Sequence, residues 1–430
     1  MTKNNDITDQ AAPTSNSLEA LSAIKKKLLG KKLSYHEIYS LMDEVAHEKL
    51  GPVLTTYFVA AGFKEGFSNL EMYYLTKAMV DTGTRLHFNG IVADKHSTGG
   101  LAGTRTTMIL VPIVAAAGYK IPKNSSRAIT TPAGTADTME VLAPVTFSPS
   151  QIERIVGKTG GCIVWGGHLG LAPADDIIIQ VETPLSFESF DKIIISIMAK
   201  KIASGATHLV LDIPVGLTLK IHHFKDAELI SKKFQLLADK FHIKLAVDIN
   251  QTLEPAGHSV GPSLEAIDVL KVLEQKPDRP RVLEAKALRL TGKLLDLCLA
   301  DTKNSEKISG EDLARQILKS GQALKKMREI IKYQGGDPDI SIADIEIGKF
   351  KYEYKSHKKG SITSFNNKDL TIIAKILGCP GDKKAGIYLE RRLDEHIDKN
   401  DILCILYSSN KWHLEEAKET LKNVPIFSIE

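Results

Sequence analysis

The run Asp94-Lys95-His96-Ser97-Thr98-Gly99-Gly100 places an ammonium, an imidazole, two hydroxyls and a double glycine within seven residues. Working outward, residues 88–93 read as a short strand behind a turn, and residues 104–117 as a mostly apolar helix. Strand, glycine-rich turn and helix N-terminus together receive an anion. Glycines such as Gly99 let backbone N–H groups approach it closely, and the helix dipole favours negative charge. Lys95 adds a full positive charge, while Ser97, Thr106 and Thr107 offer hydroxyl donors. A double glycine alone is more often an ordinary turn before a capped helix. Lysine, histidine and serine beside it tip the balance toward phosphate. There is no G-x-x-x-x-G-K-[ST] and no G-x-G-x-x-G, so P-loop and dinucleotide-binding folds lose support.

A lone histidine is more often structural than catalytic. Next to Lys95 the neutral form of His96 is favoured, because like charges oppose protonation. A bound phosphate dianion reverses that balance and makes His96 a candidate proton or hydrogen-bond donor.

The chain has 430 residues, enough for two or three domains. With 43% hydrophobic and 25% charged residues its composition is that of an ordinary globular protein. Its 56 basic and 52 acidic residues interleave, and the net charge of +4 is too small to imply nucleic-acid binding. Cys162, Cys298, Cys379 and Cys404 are scattered without a C-x-x-C. They suggest neither a zinc site nor a disulfide framework and fit a reducing cytoplasm. The N-terminus is polar, without the apolar core of a signal peptide. The most apolar stretch, 108–117, contains Pro112 and is far too short to span a bilayer. A cytoplasmic protein with no membrane or nucleic-acid partner is expected.

Residues 1–15 read as a disordered tail. Asn16-x-x-Glu19, Ser34-x-x-Glu37 and Ser68-x-x-Glu71 resemble capping boxes, and Gly30 a helix stop, so residues 16–85 read as a small helical unit. Beyond residue 88, strand-like runs at 161–165, 208–213 and 244–249 alternate with helical segments at 191–204, 226–241 and 263–274. This is the pattern of an α/β sheet with parallel character. From about residue 343 the texture changes. Residues 349–354 alternate as a strand does and 402–407 form a buried-strand run, suggesting a small α+β unit.

Residues 124–137 form a second dense stretch, with hydroxyls at Ser125, Ser126, Thr130, Thr131 and Thr135 around Arg127 and Gly134. Arginine is the usual bidentate partner of phosphate or carboxylate. A polar surface loop accounts for the same residues equally well. In the third stretch, Ser196-Ile197-Met198-Ala199-Lys200-Lys201, Ser196 and Lys200 are four apart and share one helical face. Taken alone, a solvated face is the plainer reading.

Together these residues resemble the thymidine/pyrimidine-nucleoside phosphorylase family. Residues 94–100 look identical to that family's signature. Leu171-Ala172-Pro173-Ala174-Asp175, residues 196–201 and Asn250-Gln251 match in family order. The resemblance runs from about Leu18 to the C-terminus. It implies a two-lobed fold of class α/β and α. A small discontinuous helical domain takes in 16–85 and about 171–204. A large α/β domain with a mixed sheet takes in 88–170 and 205–342, and a small α+β C-terminal subdomain covers 343–430. Phosphate would sit on the α/β side and the base on the helical side, brought together by hinge closure. By matching motif, Lys95, Ser97, Thr107, Ser125 and Thr135 are implied as phosphate ligands, with Gly99 and Thr106 beside them. His96, Ser196 and Lys200 are implied on the base side. Thr107 stands where the thymidine enzymes have serine, in a loop one residue longer here.

Other positions depart from the thymidine enzymes. Their tyrosine and base-reading arginine correspond here to Ile179 and Glu182. Residues 126–143 and Val164-Trp165-Gly166-Gly167 instead resemble the AMP phosphorylase branch nearly word for word. That branch implies nucleotide contacts at Gly100, Ser126, Arg127, Ala128, Ile129, Thr130, Thr131, Ser196 and Lys220. It also implies an acidic proton donor, at a position that Glu188 occupies with one methylene more. AMP phosphorylases carry an extra N-terminal domain that assists large assemblies. This chain has a short polar tail there, and a homodimer through the helical domain is expected.

The reaction implied is reversible phosphorolysis of the N-glycosidic bond of a nucleoside or nucleoside 5′-monophosphate, with His96, Glu188 and Lys200 as catalytic candidates. No cofactor or metal is expected, inorganic phosphate being a co-substrate. Two other readings stay open. A phosphoribosyltransferase of related fold would use a similar loop but needs magnesium with its diphosphate, and no acidic pair flanks Gly99-Gly100 to hold it. A non-catalytic nucleotide-binding member draws support from the missing tyrosine and arginine.

Overall fold

The computed structural model describes residues 15–128, 131–167, 169–182, 189–302 and 308–430. The tail expected over 1–15 lies outside them, except for Ser15, which begins a helix. The chain divides into two units: residues up to Arg85 with Gly170–Ala203, and Leu86–Leu169 with Ser204–Glu430.

The first unit is helical. Its described helices are Ser15–Leu28, Tyr35–Ala46, Gly51–Glu65, Asn69–Asp81, Pro173–Glu182 and Phe190–Ala203. Ser34 and Ser68 each accept the N–H three residues on, while Glu37 and Glu71 reach back to the cap N–H. Asn16 lies inside the first helix, so its spacing to Glu19 marks no cap. Glu71 does more than cap. It is buried, accepting from the Leu33 N–H at 3.2 Å and from Lys27 Nζ at 3.0 Å, and Lys27 lies 4.6 Å from the centre of the Phe67 ring. The later segment is tied in by the Phe67 N–H donating to Asp191 at 3.3 Å and the Thr84 N–H donating to the Gly170 carbonyl at 2.6 Å.

The second unit is built on strands β1 (Ala93–Ser97), β2 (Ile121–Ser125), β3 (Gly161–Trp165), β4 (His208–Val215) and β5 (Lys244–Gln251). The pairings β2–β3, β1–β4 and β4–β5 are all parallel. A parallel bridge from Val92 to Lys120 joins the two groups, giving the order β3-β2-β1-β4-β5. The chain leaves β1 toward one side and returns on the other at β4. The loops after β1 and β4 therefore diverge at the carboxyl ends, where open sheets of this kind bind ligands. The almost wholly apolar helix Thr106–Ala116 packs against Arg281–Ala300 and Gln322–Tyr333 in the main core.

The mixed sheet expected of the large domain resolves into this parallel sheet and an antiparallel one. Ser259–Val260 pairs with Gly386–Leu389, which continues to Ile402–Ser408 and Phe350–Lys355. The C-terminal region thus shares a sheet with a strand from the α/β segment.

Two local expectations change. The strand expected over 88–93 begins only at Ala93, so Asp94, Lys95, His96 and Ser97 are themselves strand residues. Charges are tolerated there because countercharges approach: Lys123 lies 3.7 Å from Asp94, and Asp212 lies 4.0 Å from Lys95. β2, with Pro122 near its start and Asn124-Ser125 at its end, has no strand-like sequence; its pairing with β3 defines it. Among the described residues no helix is long and apolar enough to cross a membrane.

Candidate active site

At the carboxyl ends of β1, β4 and β5 the register aligns Ser97, Asp212 and Asp248. Asp212, 2% exposed, is the hub. It accepts from Ser97 Oγ at 3.0 Å and Asn250 Nδ2 at 2.9 Å, with Lys286 Nζ at 3.4 Å and Lys95 Nζ at 4.0 Å. Asp248 is balanced by Arg289 at 3.1 Å and Lys293 at 2.8 Å. Lys95 is itself buried. Burial, only partly opposed by Asp212 and reinforced by Lys286 and Arg105, pulls its ammonium down to about 8. A cation held short of counter-charge in this way gains from an incoming anion.

The loop after β1 begins with the Thr98 N–H donating to the Asp212 carbonyl at 3.0 Å and the Gly99 N–H to Ser97 Oγ at 3.4 Å. Gly99 and Gly100 have φ of 83° and 85°, the left-handed region. A Cβ on Gly100 would stand 3.0 Å from Lys220 Cγ, so the loops after β1 and β4 are in contact. The hydroxyls of Thr98 and Thr106 are buried and have no hydrogen-bond partner among the described residues. Such groups are rare in native proteins and call for an acceptor from outside. Thr106 and the buried Thr107 open helix Thr106–Ala116, whose N-terminus has no side-chain cap. Its first N–H groups are disposed toward an anion.

Ser125 ends β2, and the chain then wraps round Asp137. Asp137 accepts from the Ala128 N–H at 2.7 Å, the Gly134 N–H at 2.8 Å and Arg127 Nη1 at 3.1 Å. Only glycine fits at 134, since a Cβ there would overlap the Ser126 carbonyl. Thr135 opens the short helix Thr135–Met139, and Thr131 donates to the Ala133 carbonyl at 2.9 Å. Ile129 and Thr130 lie outside the described residues. Buried Arg105 pairs with Glu265 and donates to the Ala133 carbonyl at 2.5 Å, tying this loop to the helix at Thr106.

Arg127 is committed to protein carboxylates. Its two terminal nitrogens grip Glu140 at 2.7 Å each, and its guanidinium lies 4.9 Å from the centre of the Trp165 ring. Glu140 also holds Lys383 at 2.6 Å, and the hydrogen bonds from Arg127 hold its carboxyl down at about 2. The fork that the motif assigns to nucleotide grips Glu140 and Asp137, bracing the loop.

In the helical unit, Ser196 and Lys200 share a face of Phe190–Ala203 that is not simply solvated. Both reach Asp175 in the first turn of Pro173–Glu182, Ser196 Oγ at 2.7 Å and Lys200 Nζ at 2.9 Å, and Lys200 is also 3.3 Å from Asp176. Burial alone would lower the Lys200 ammonium, but the two carboxylates outweigh it and raise it above its ordinary value. Glu182 pairs with Lys192. Glu188 lies outside the described residues. His96 is half-buried on β1. Asp212, Lys286, Asp137 and Thr98 belong to none of the motif assignments. The signal for Asp212 was a lone acid inside the apolar run Leu209-Val210-Leu211-Asp212-Ile213, because a charge buried in a strand needs partners.

Comparison with known proteins identifies the segments of this chain. Residues 89–324 match the "Glycosyl transferase family, a/b domain", residues 21–83 its "helical bundle domain", and residues 361–426 the "Pyrimidine nucleoside phosphorylase C-terminal domain". An AMP phosphorylase of Thermofilum pendens is 43% identical over 405 residues, covering 94% of this chain and 77% of its own length. A Legionella pneumophila (strain Paris) protein named "Putative thymidine phosphorylase" is 41% identical over 410 residues, with the same coverage. Among solved structures, anthranilate phosphoribosyltransferase from Thermus thermophilus superposes with a TM-score of 0.58 over 73% of this chain and 99% of its own. At 18% identity that likeness is one of fold.

Proposed function

This chain belongs to the thymidine/pyrimidine-nucleoside phosphorylase family, and from that premise we propose that it catalyses reversible phosphorolysis of a nucleoside 5′-monophosphate, yielding free base and ribose 1,5-bisphosphate. Phosphorolysis is supported above all by buried Lys95 beside Asp212, with the hydroxyls of Thr98 and Thr106, unpartnered among the described residues, in the segments that follow it. A phosphate oxygen attacks C1′ from the face opposite the base. The C1′–N bond breaks through an oxocarbenium-like state, and its electron pair leaves with the base, which takes up a proton. Lys95, Ser97, Thr106, Thr107 and the Gly99 N–H hold the phosphate, joined by Ser125 and Thr135. Fixing it there removes much of the entropic barrier. Ser196 and Lys200, set by Asp175, are assigned to the base, and the Lys200 ammonium counters the charge that develops on it. His96 and Glu188 are the other candidates for delivering the proton.

The 5′-phosphate is assigned to Lys220, Gly100 and residues 126–131, of which the Ala128 N–H is already taken by Asp137. Support comes from the match of residues 126–143 to the AMP phosphorylase branch, from relatives of that name at 39–43% identity, and from Glu182 standing in place of the base-reading arginine of the thymidine enzymes. A nucleoside substrate is the second reading. It is favoured by the neutralisation of Arg127 by Asp137 and Glu140, which leaves that loop less cationic than its sequence suggests. A homodimer is proposed, supported by the exposed Val53 and Tyr57 one turn apart on helix Gly51–Glu65. A reducing, cytoplasmic setting is in keeping with four buried free thiols.

The test is base release from thymidine, uridine, AMP, CMP and UMP, each with and without phosphate. Phosphate-dependent release from the monophosphates is expected. Release from free nucleosides alone would establish the second reading, and release from none would leave a binding protein.

A further inference from the structure

Asn367 lies far along the chain from every motif of the site, and it holds the glycine loop. It is the first residue of helix Asn367–Ile376 and is 6% exposed. Capping of that helix falls to its neighbour: the Asn366 side chain accepts from the Lys368 and Asp369 N–H groups. The Asn367 carboxamide is thereby released to face the loop after β1. Its Oδ1 accepts from the Ala102 N–H at 3.0 Å and its Nδ2 donates to the Gly100 carbonyl at 2.5 Å. Both partners are backbone groups of fixed polarity, so only one orientation of the amide satisfies them. The Asn367 N–H also donates to Thr218 Oγ1 at 3.4 Å, in the loop after β4. One residue thus fastens together the loops after β1 and β4 at the carboxyl end of the sheet. Packing agrees, since Ala102 is fully buried in the C-terminal core with Ile362, Phe365, Leu370 and Ile373.

We propose that Asn367 is a positioning residue: through Gly100 and Ala102 it sets the conformation of the loop that receives phosphate, making the C-terminal region a working part of the site. Gly99 and Gly100 sit in left-handed conformations that a free loop would exchange with many others. The carboxamide selects one of them before ligand arrives, which favours binding by preorganisation. The kinetic consequence rests on the phosphorolysis proposed above; the ordering of the loop does not.

The experiment compares wild type, Asn367→Ala, Asn367→Asp and Asn366→Ala. The Asp variant keeps an acceptor for Ala102 but turns an oxygen toward the Gly100 carbonyl. Asn366→Ala weakens the same helix without touching the loop, so it controls for general loosening of this region. Amide hydrogen exchange over residues 98–105 is expected to quicken in both Asn367 variants and to stay near wild type in Asn366→Ala. The KM for inorganic phosphate is expected to rise about tenfold or more in both, the factor that goes with losing one ordinary hydrogen bond, while the KM of Asn366→Ala stays within about twofold. Unchanged exchange in Asn367→Ala, or equal changes in Asn366→Ala, would overturn the positioning role. Absence of phosphate-dependent turnover in wild type would sink the reaction and the kinetic half of this inference, and exchange would still decide whether Asn367 holds the loop.

Discussion

Lys95 shows how a single residue links stability to function. Its ordinary value is 10.5, and burial brings it down to about 8 in the ligand-free protein. Between those two pH values the unfolded chain carries a proton that the native protein has released. The native state therefore gains stability as pH rises through that window, by about 3 kcal/mol in all. Lys95→Met should lack this gain, which urea denaturation at either end of the window would measure against wild type. On the proposed role of Lys95, phosphate restores the proton, so its affinity should fall about tenfold per pH unit above 8. A titration of phosphate KM against pH checks this, and a flat profile would remove Lys95 from the phosphate site. Lys95→Met should also cut phosphate-dependent base release by about a thousandfold.

At the scale of the element, the two serine-capped helices of the first unit differ in what their caps hold. Ser34 is exposed, and its partner Glu37 meets Lys26 at 2.9 Å in a partly exposed pair. Glu71 in the second cap is buried and meets Lys27, which is buried too. Ser34→Ala should cost about 1 kcal/mol, the usual worth of a cap. Glu71→Ala should cost about 3–5 kcal/mol, because it strands the Lys27 ammonium without a partner. Denaturant unfolding of the two variants separates these outcomes, and equal losses would mean that the Lys27–Glu71 pair adds nothing beyond the cap. Both capping motifs look alike in sequence. Their difference comes from the turn at Leu33 and the ring of Phe67, which bury only one of them.

At the scale of the whole molecule, the α/β segment and the C-terminal region are interdependent. Ser259–Val260 pairs with Gly386–Leu389, and Ala102 and Val260 belong to the C-terminal core. A chain ending at Asp344 would leave a strand edge and apolar side chains bare. Such a truncation should aggregate or lose its cooperative unfolding transition. A truncated protein that stays monodisperse and binds phosphate as wild type does would refute this interdependence.

Much of this protein was legible from residue order because the deciding signals are local. The serine–glutamate spacings marked two helix starts, β3 was read to the residue, and the glycine turn between Lys95 and the helix at Thr106 was recognisable before any tertiary contact was known. Other features depend on groups distant in sequence. The strand character of Asp94 to Ser97 rests on countercharges from Lys123 and Asp212. The fork of Arg127 was settled by Glu140 and Asp137. The partner of Ser196 and Lys200 is Asp175, on another helix. Sequence supplies the type of chemistry a side chain can perform. Which partner satisfies it is decided by burial, since a buried charge or amide must be paired by whatever the fold brings within hydrogen-bond reach.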